Sequence, residues 1–553
     1  MASIFELSDR AVDAIADQNP LAATYLGLPG RDHRWPDLSP AGHAAERALW
    51  ATLLAEAEAI EATTAAADLA KRVLIADAQD NLARHDAGDH LRDLNSIAST
   101  FQGLKAAFDL MARDTKDDWS RIIVRLETID WPIDGYIETL QAGLDQGMAV
   151  ARRQVEAAIE EGRVTAGDES PFVDLRAAFD EKSFDDDGMT ARVDAAIATA
   201  RAAYGRLTDW LETTYLPQAA ESDAAGAERY ILEARKHLGM DIDVDATYAW
   251  GWAEVERIHQ RMAEIAADMD PDRSLSDVVA GLATDPASGI DNADGFIERM
   301  QQVQNEAMEQ LAGVHFDVPD QIRDVEVKVA PAGGSLAPFY TGPSEDFSRN
   351  GAVWYPLGSR TFFPLWEEMT TAYHEGFPGH HLQVGVQAAL GDQLSRYHRI
   401  AVWQPGSGEG WALYAERLMG ELGFHDRPEY ELGMLAAEML RACRIVIDIG
   451  LHCELPIPDD AMFHPGEAWT WDLAVEMLRD VSFQNQEMSE SEATRYLGWP
   501  GQAISYKIGQ QVILDLRDER SQREDFDLKT FHSDVLNVGS IGLDLLKELV
   551  RAA

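Results

Sequence analysis

The chain has 553 residues, 46% of them hydrophobic and 26% charged, which is the balance of an ordinary folded, water-exposed protein. Its 47 basic and 96 acidic residues leave a net charge of −49. That excludes nucleic acid and disfavours an anionic membrane surface as partners, since both need a basic face. A field of this sign could attract basic peptides, but it reads more simply as a solubility or salt-adapted surface.

Taken in order, the chain opens on Met1-Ala2-Ser3-Ile4-Phe5-Glu6, with neither a basic n-region nor an apolar h-region, and no run approaches the ~18 apolar residues of a membrane span. The expectation is a cytoplasmic protein. From Phe5 to about Val164 the text is helical, with apolar residues at three and four spacing as in Leu49-Trp50, Leu53-Leu54 and Ala57. Pro20, the Pro36–Pro40 stretch and Trp131-Pro132 punctuate it. The Ala-rich run Ala55 to Ala70 predicts one solvated helix. A polar break falls at Gly167 to Pro171 and an acidic turn at Asp185 to Gly188; helices resume over Met189 to Tyr215 and Ala246 to Met269. Tyr248, Trp250 and Trp252 read as core residues.

The pattern changes at Val325-Glu326-Val327-Lys328-Val329, whose alternation and β-branching predict a strand. Pro331 to Gly334 reads as a turn. Phe339-Tyr340 and Gly351 to Tyr355 are two further short strands. The fold class that follows is mainly α with a small β-sheet, divided at residues 1–320 and 321–553 of one continuous body. Arg349, in the loop 342–350, Tyr355 and Gln502 are candidate substrate contacts.

The chemistry concentrates in Tyr373-His374-Glu375-Gly376-Phe377-Pro378-Gly379-His380-His381. In the H-E-x-x-H pattern, two histidines one helical turn apart bind zinc and the glutamate is a general base. Here Pro378-Gly379 intervenes. His374 and His381 are i and i+7, about 10 Å apart on an unbroken helix and too far for one ion. A bulge absorbing Pro378 and Gly379 would bring His380 to the i+4 position. His380 is therefore the favoured second ligand and His381 the alternative, with Tyr373 and Phe377 flanking. Surface histidines on a kinked helix are the bland alternative. A third ligand is expected at Glu409, 29 positions after His380, in a helix N-capped by Ser407. Glu416, i+7 from Glu409, is the spare candidate.

Arg441, Arg444, Asp448 and His452 form one polar ridge at three and four spacing. Asp448 and His452 are candidates to orient the ligating histidines, and a purely structural ion-pair network fits the ridge equally. Cys443 and Cys453, ten residues apart in a helical segment, would stand about 15 Å apart, too far for a disulfide.

The strings His374-Glu375-x-x-Pro378-Gly379-His380-His381-Leu382-Gln383, Glu409 to Tyr414 and Pro500 to Gly509 resemble those of a bacterial family named only as a domain of unknown function. That family is similar to the gluzincin zinc peptidases, whose helical members include thimet oligopeptidases, angiotensin-converting enzyme and thermostable carboxypeptidases. The resemblance spans nearly the whole chain, with its specific motifs in the C-terminal part. It implies Zn2+ held by His374, His380 or His381, and Glu409, with Glu375 as general base. It also implies a large two-lobed helical body around a deep cleft, with residues 1–320 as cleft walls, 321–553 as the catalytic region and the small β-sheet next to the metal-binding helix. An edge strand of that sheet would pair with the substrate backbone, and Tyr506 would stand at the scissile carbonyl. The activity expected is hydrolysis of short peptides or chain ends. The rival is a non-catalytic helical protein that binds a peptide or a structural metal. The sequence leaves the choice between end- and mid-chain cleavage, and the oligomeric state, open.

Overall fold

In the computed structural model, capped amphipathic helices account for most of the chain, and it describes residues 3–330 and 337–553. The turn expected at Pro331 to Gly334 lies outside the described residues. Strands are few and short, so the mainly α class expected from the periodicity holds.

Two compact units divide the chain. The first comprises Met1–Ala224 with Ser395–Ala401 and Leu497–Trp499; the second comprises Ala225–Leu394, Val402–Tyr496 and Pro500–Ala553. Residue 320, the expected boundary, falls inside the second unit.

The first unit shows how its text becomes helix. Thr115 and Asp118 exchange side chain-to-backbone hydrogen bonds in a capping box at the start of Lys116–Glu127. Trp119, Ile122, Ile123 and Leu126 then line one buried face at three and four spacing. They join an aromatic-rich core with Trp35, Phe101, Phe108, Phe172 and Tyr204. The Ala-rich run is two helices rather than one: Pro40–Ala59 ends, and Ala65–Asp86 starts afresh. Thr64 supplies the reason, since its hydroxyl accepts from the Ala67 N–H and caps the new helix. The helix from Asp187 runs regularly to Trp210 and continues through a π turn, Leu211–Tyr215.

The second unit is built on a long helix Val244–Met269 (α1), a helix Ala293–Leu311 (α2) and small sheets. Two-residue strands Gly289–Ile290 (β1) and Phe363–Pro364 (β5) pair antiparallel. Val325–Val329 (β2), Phe339–Thr341 (β3) and Gly351–Tyr355 (β4) form a sheet in the order β2-β4-β3. β2 runs parallel to β4 from Val325 opposite Gly351 to Val329 opposite Tyr355; β3 is antiparallel, with Tyr340 opposite Val353. The central strand is the most buried, as its apolar text requires. Gln301 of α2 bonds both the Val325 carbonyl and the Val327 N–H at 2.9 Å, capping part of the β2 edge.

The site helices follow: Leu365–Glu375 (α3), His380–Ala389 (α4), Pro405–Glu421 (α5), Pro428–His452 (α6), Gln486–Gly498 (α7) and Ser505–Ser521 (α8). Both cysteines are free, Cys443 buried within α6 and Cys453 just past its end. No helix among the described residues is long and apolar enough to cross a membrane.

Candidate metal centre

The helix carrying His374 does not bulge at Pro378-Gly379. It stops at Glu375, and α4 starts at His380. A proline removes one intrahelical donor and crowds the preceding turn, so a clean stop satisfies the backbone better than a distorted helix. Several of the freed groups find partners. The Gly379 N–H donates to the Tyr373 carbonyl at 3.0 Å, and the His381 N–H to Gly376 at 3.2 Å. The Gln304 side chain of α2 clamps the break, donating to the Ala372 carbonyl and accepting from the Phe377 N–H, each at 2.7 Å. The Trp411 indole of α5 donates to the Pro378 carbonyl at 2.9 Å. Residue 379 must be glycine, since a Cβ there would lie 2.0 Å from the His374 carbonyl oxygen.

The restart does what the bulge was expected to do. His374 and His380 face each other with ring centroids 4.8 Å apart and planes at 86°. Glu409 reaches both: its Oε2 lies 3.5 Å from His374 Nε2 and 3.4 Å from His380 Nε2. One donor atom from each of the three residues falls within 4.8 Å of the others. Glu409 Oε2 is buried and has no hydrogen-bond partner. Two ligands at tetrahedral angles with Zn–N and Zn–O near 2.0–2.1 Å stand about 3.3–3.4 Å apart. The separations are long for direct hydrogen bonds and right for two atoms sharing one ion, so His374, His380 and Glu409 fit a zinc ion.

Glu409 is held in place by close helix packing. Gly410 of α5 meets Gly509 of α8 backbone to backbone: a Cβ on Gly410 would lie 2.5 Å from the Gly509 Cα. That contact also sets Tyr506, near the start of α8, beside α5. The helix itself begins at Pro405, preset for a first helical position. Ser407 is therefore not its N-cap; its hydroxyl bonds the Gln404 carbonyl and accepts from the Ile541 N–H.

The orienting partner of His374 is Glu416, one of the carboxylates the sequence offered as a spare ligand. Its Oε1 lies 2.7 Å from His374 Nδ1. Thr370 bonds the other oxygen, and Arg441 Nη2 stands 4.0 Å from Oε1. Nδ1 is thus engaged and Nε2 is left for the cluster, the arrangement that fixes a ligating tautomer. Burial works against charge on His374, but Glu409 and Glu416 outweigh it and push its pKa up to about 9. Burial would raise the Glu409 carboxyl, yet His380 and His374 hold it well below the carboxylate range. An ion at the site would replace the proton in this balance.

Glu375 faces the same surroundings with no hydrogen bond to the described residues. Its pKa is raised by burial, against the charges of His374 and His380. Tyr506 is raised by burial and by the charge of Glu409. Trp403, 44% exposed, packs against His380 with centroids 5.7 Å apart.

Other expected residues lie elsewhere. His381 has both ring nitrogens engaged, Nε2 at 2.7 Å from the Ile322 carbonyl and Nδ1 at 3.1 Å from the Tyr340 hydroxyl. Tyr373 and Phe377 pack into the core against Phe424 and Phe316. Asp448 accepts from Tyr230 and the Gly501 N–H, and His452 bonds the Tyr496 carbonyl and the Ala225 N–H. Neither touches His374 or His380; both brace α6. Tyr355 is buried, edge-on to Phe296, with an unpartnered hydroxyl raised by burial and by the charges of Glu368 and Glu375. Arg349 is exposed and bonds the Asn350 carbonyl, while Gln502 is buried with its carbonyl bonded to Ser505. Neither contacts the cluster. Gln304 and Thr370 were missed by sequence reasoning. Nothing local marks Gln304, whereas Thr370, one turn before His374, carried a helical-spacing signal.

Residues 20–550 match the family described as "Bacterial protein of unknown function (DUF885)", and the chain belongs to that family. No curated protein matches it. Two solved structures share its fold. One is described as "the putative lipoprotein from Colwellia psychrerythraea", with a TM-score of 0.88 at 24% identity over 99% of this chain and 98% of that one. The other, "a putative lipoprotein of unknown function from Shewanella oneidensis", has a TM-score of 0.76 at 18% identity over the full length of both.

Proposed function

We propose that the protein is a zinc-dependent peptidase of gluzincin type that cleaves short peptides or chain ends. The observation that carries this is the convergence of His374, His380 and Glu409 on one point, with the Glu409 Oε2 buried and unpartnered. Zinc held there would acidify a water and polarise a carbonyl. Glu375, the neighbour of His374, has no hydrogen bond to the described residues, and burial raises its pKa, which favours a base over a permanently ionised carboxylate. It would accept the proton of the attacking water and deliver it to the leaving amine. Tyr506 would donate its phenol hydrogen to the oxygen on which charge develops. Glu416 would keep the His374 ring in register through Nδ1.

The test is direct. Purified protein should hold near one equivalent of zinc and cleave members of a short-peptide library in a zinc-dependent way. Glu375→Gln should keep the zinc and lose about 10²–10⁴ in rate. Zinc-loaded protein that binds peptides and cleaves none would assign the rival, a non-catalytic binding protein. Because these two solved structures are each described as a "putative lipoprotein", the cytoplasmic placement is a separate proposal, tested by cell fractionation.

A further inference from the structure

Three guanidinium groups gather at Tyr506. Arg441 and Arg444, on α6, place their central carbons 5.8 and 4.7 Å from the centroid of its ring. Arg495, from α7, lies over the neighbouring Tyr496 ring at 5.3 Å. Two carboxylates face these three cations. Glu416 is 4.0 Å from Arg441 and already committed to His374 and Thr370. Glu492 is shared between Arg444, at 2.7 Å, and Arg495, at 3.3 Å.

Asp448 also lies in the field of Arg495, so what the cluster leaves over is guanidinium donors and not a net charge. Arg444 Nε bonds the Tyr496 hydroxyl and its Nη2 bonds Glu492, but its Nη1 is buried without a partner. The Arg444 side chain is 8% exposed. Arg441 Nε is likewise buried and unpartnered. Buried guanidinium donors without an acceptor are costly, and the planar fork of the group matches a carboxylate.

Resting on the peptidase reading, we propose that Arg444, assisted by Arg441, receives a carboxylate of the substrate, and that for a peptide this is the free C-terminus. Tyr506 touches both arginines and also feels the charge of Glu409, so the anchored chain end would sit close to the cleaved bond. The substrates would be short acids cut near their C-terminus, and their amides would be poor ones.

The experiment compares N-acetyl-trialanine with its C-terminal carboxamide on zinc-loaded protein. Binding is read by calorimetry on Glu375→Gln, and cleavage on the unmodified enzyme. The acid should bind about 10- to 100-fold tighter than the amide. Arg444→Gln should abolish that preference, Arg444→Lys restore part of it, and Arg441→Gln reduce it. Arg441→Gln guards against misfolding of the Arg444 variants, because Arg441 is 16% exposed and among the described residues its hydrogen bond is to its own helix, at Ala437. A preference in binding without cleavage supports the carboxylate site and sinks the peptidase reading. Cleavage of acid and amide at equal rates does the reverse. Equal binding of the two, with chloride raising the unfolding temperature of the unmodified protein but not of Arg444→Gln, would assign the cluster to a free anion and overturn the proposal.

Discussion

The second unit contains two buried groups of acids and histidines, and they differ in what their polar atoms face. Around Asp448 and His452 the atoms face the protein. His452 Nδ1 accepts from the Ala225 N–H at 3.1 Å, which leaves Nε2 to donate to the Tyr496 carbonyl at 2.9 Å. Asp448 Oδ2 accepts from Tyr230 at 2.7 Å and Gly501 at 2.9 Å. Around His374, His380 and Glu409 the atoms face one another across a gap too wide for hydrogen bonds and suited to an ion. Composition and burial are alike in the two groups. Each group leaves a buried carboxylate oxygen without a hydrogen bond, Asp448 Oδ1 in one and Glu409 Oε2 in the other. What separates them is that the other three side-chain polar atoms of Asp448 and His452 are bonded to the surrounding protein, whereas Glu409 Oε2 is met by two imidazole nitrogens at the spacing of ligands on one ion.

The largest expected effect tests that contrast at its centre. His374→Ala or Glu409→Ala should abolish stoichiometric zinc, while His452→Ala should leave it in place at a cost in stability. Metal analysis after dialysis decides it. Zinc lost equally from both sets would mean that the groups are not distinct. Within the motif itself, His380→Ala should lose zinc and His381→Ala should keep it, because both nitrogens of His381 are already engaged.

A smaller effect concerns the orienting carboxylate. Glu416→Gln keeps the shape of the bond to His374 and removes its charge, so zinc affinity should fall by about 10- to 100-fold. Asp448→Asn, a change of the same chemistry in the other group, should leave affinity unchanged. Competition with a zinc-binding dye measures both, and an equal loss in the two variants would erase the distinction drawn here.

Much of this was legible from the text, and the failures share a cause. The helices, the three strands and the trio His374, His380 and Glu409 follow from periodicity and from reach along a helix. The break at Gly376 to Gly379 was misread as a bulge because its stabilising contacts come from afar, from Gln304 and Trp411. Asp448 and His452 carried a signal of buried polarity on an apolar helix, and that signal was real. Their partners, Tyr230, Gly501, Ala225 and Tyr496, are distant in sequence, so spacing could not show that all but one polar atom of the pair is bonded away from the cluster. Glu416 illustrates the converse: helical spacing put it on the right face, but only the fold shows that it stands behind His374 and not on the ion.

The smallest effect is one of slope, and it asks whether Asp448 is buried as an acid without a counter-charge. Burial raises its pKa from 3.8 to about 7, with the bonds from Tyr230 and Gly501 and, less strongly, the charge of Arg495 pulling the other way. A carboxyl whose native pKa is raised favours the folded state most at low pH. Its contribution is whole below the unfolded pKa and is lost as pH rises toward the native one, by up to about 1.4 kcal/mol per pH unit. Asn at 448 cannot ionise and has no such loss. The stability of Asp448→Asn relative to the unmodified protein should therefore climb between pH 4 and 7 and level off above, a window set by the two values for Asp448. The absolute difference is less informative, since an Asn amide placed where Oδ1 stands, 3.7 Å from His452 Nε2, adds a cost independent of pH. His452, whose pKa is lowered to about 4 by burial, is present in both proteins and drops out of the difference. Denaturant melts across that window measure the slope. A flat difference would mean that Asp448 is ionised throughout and has a charge partner, and the contrast between a closed structural group and an open metal-binding one would lose half its support.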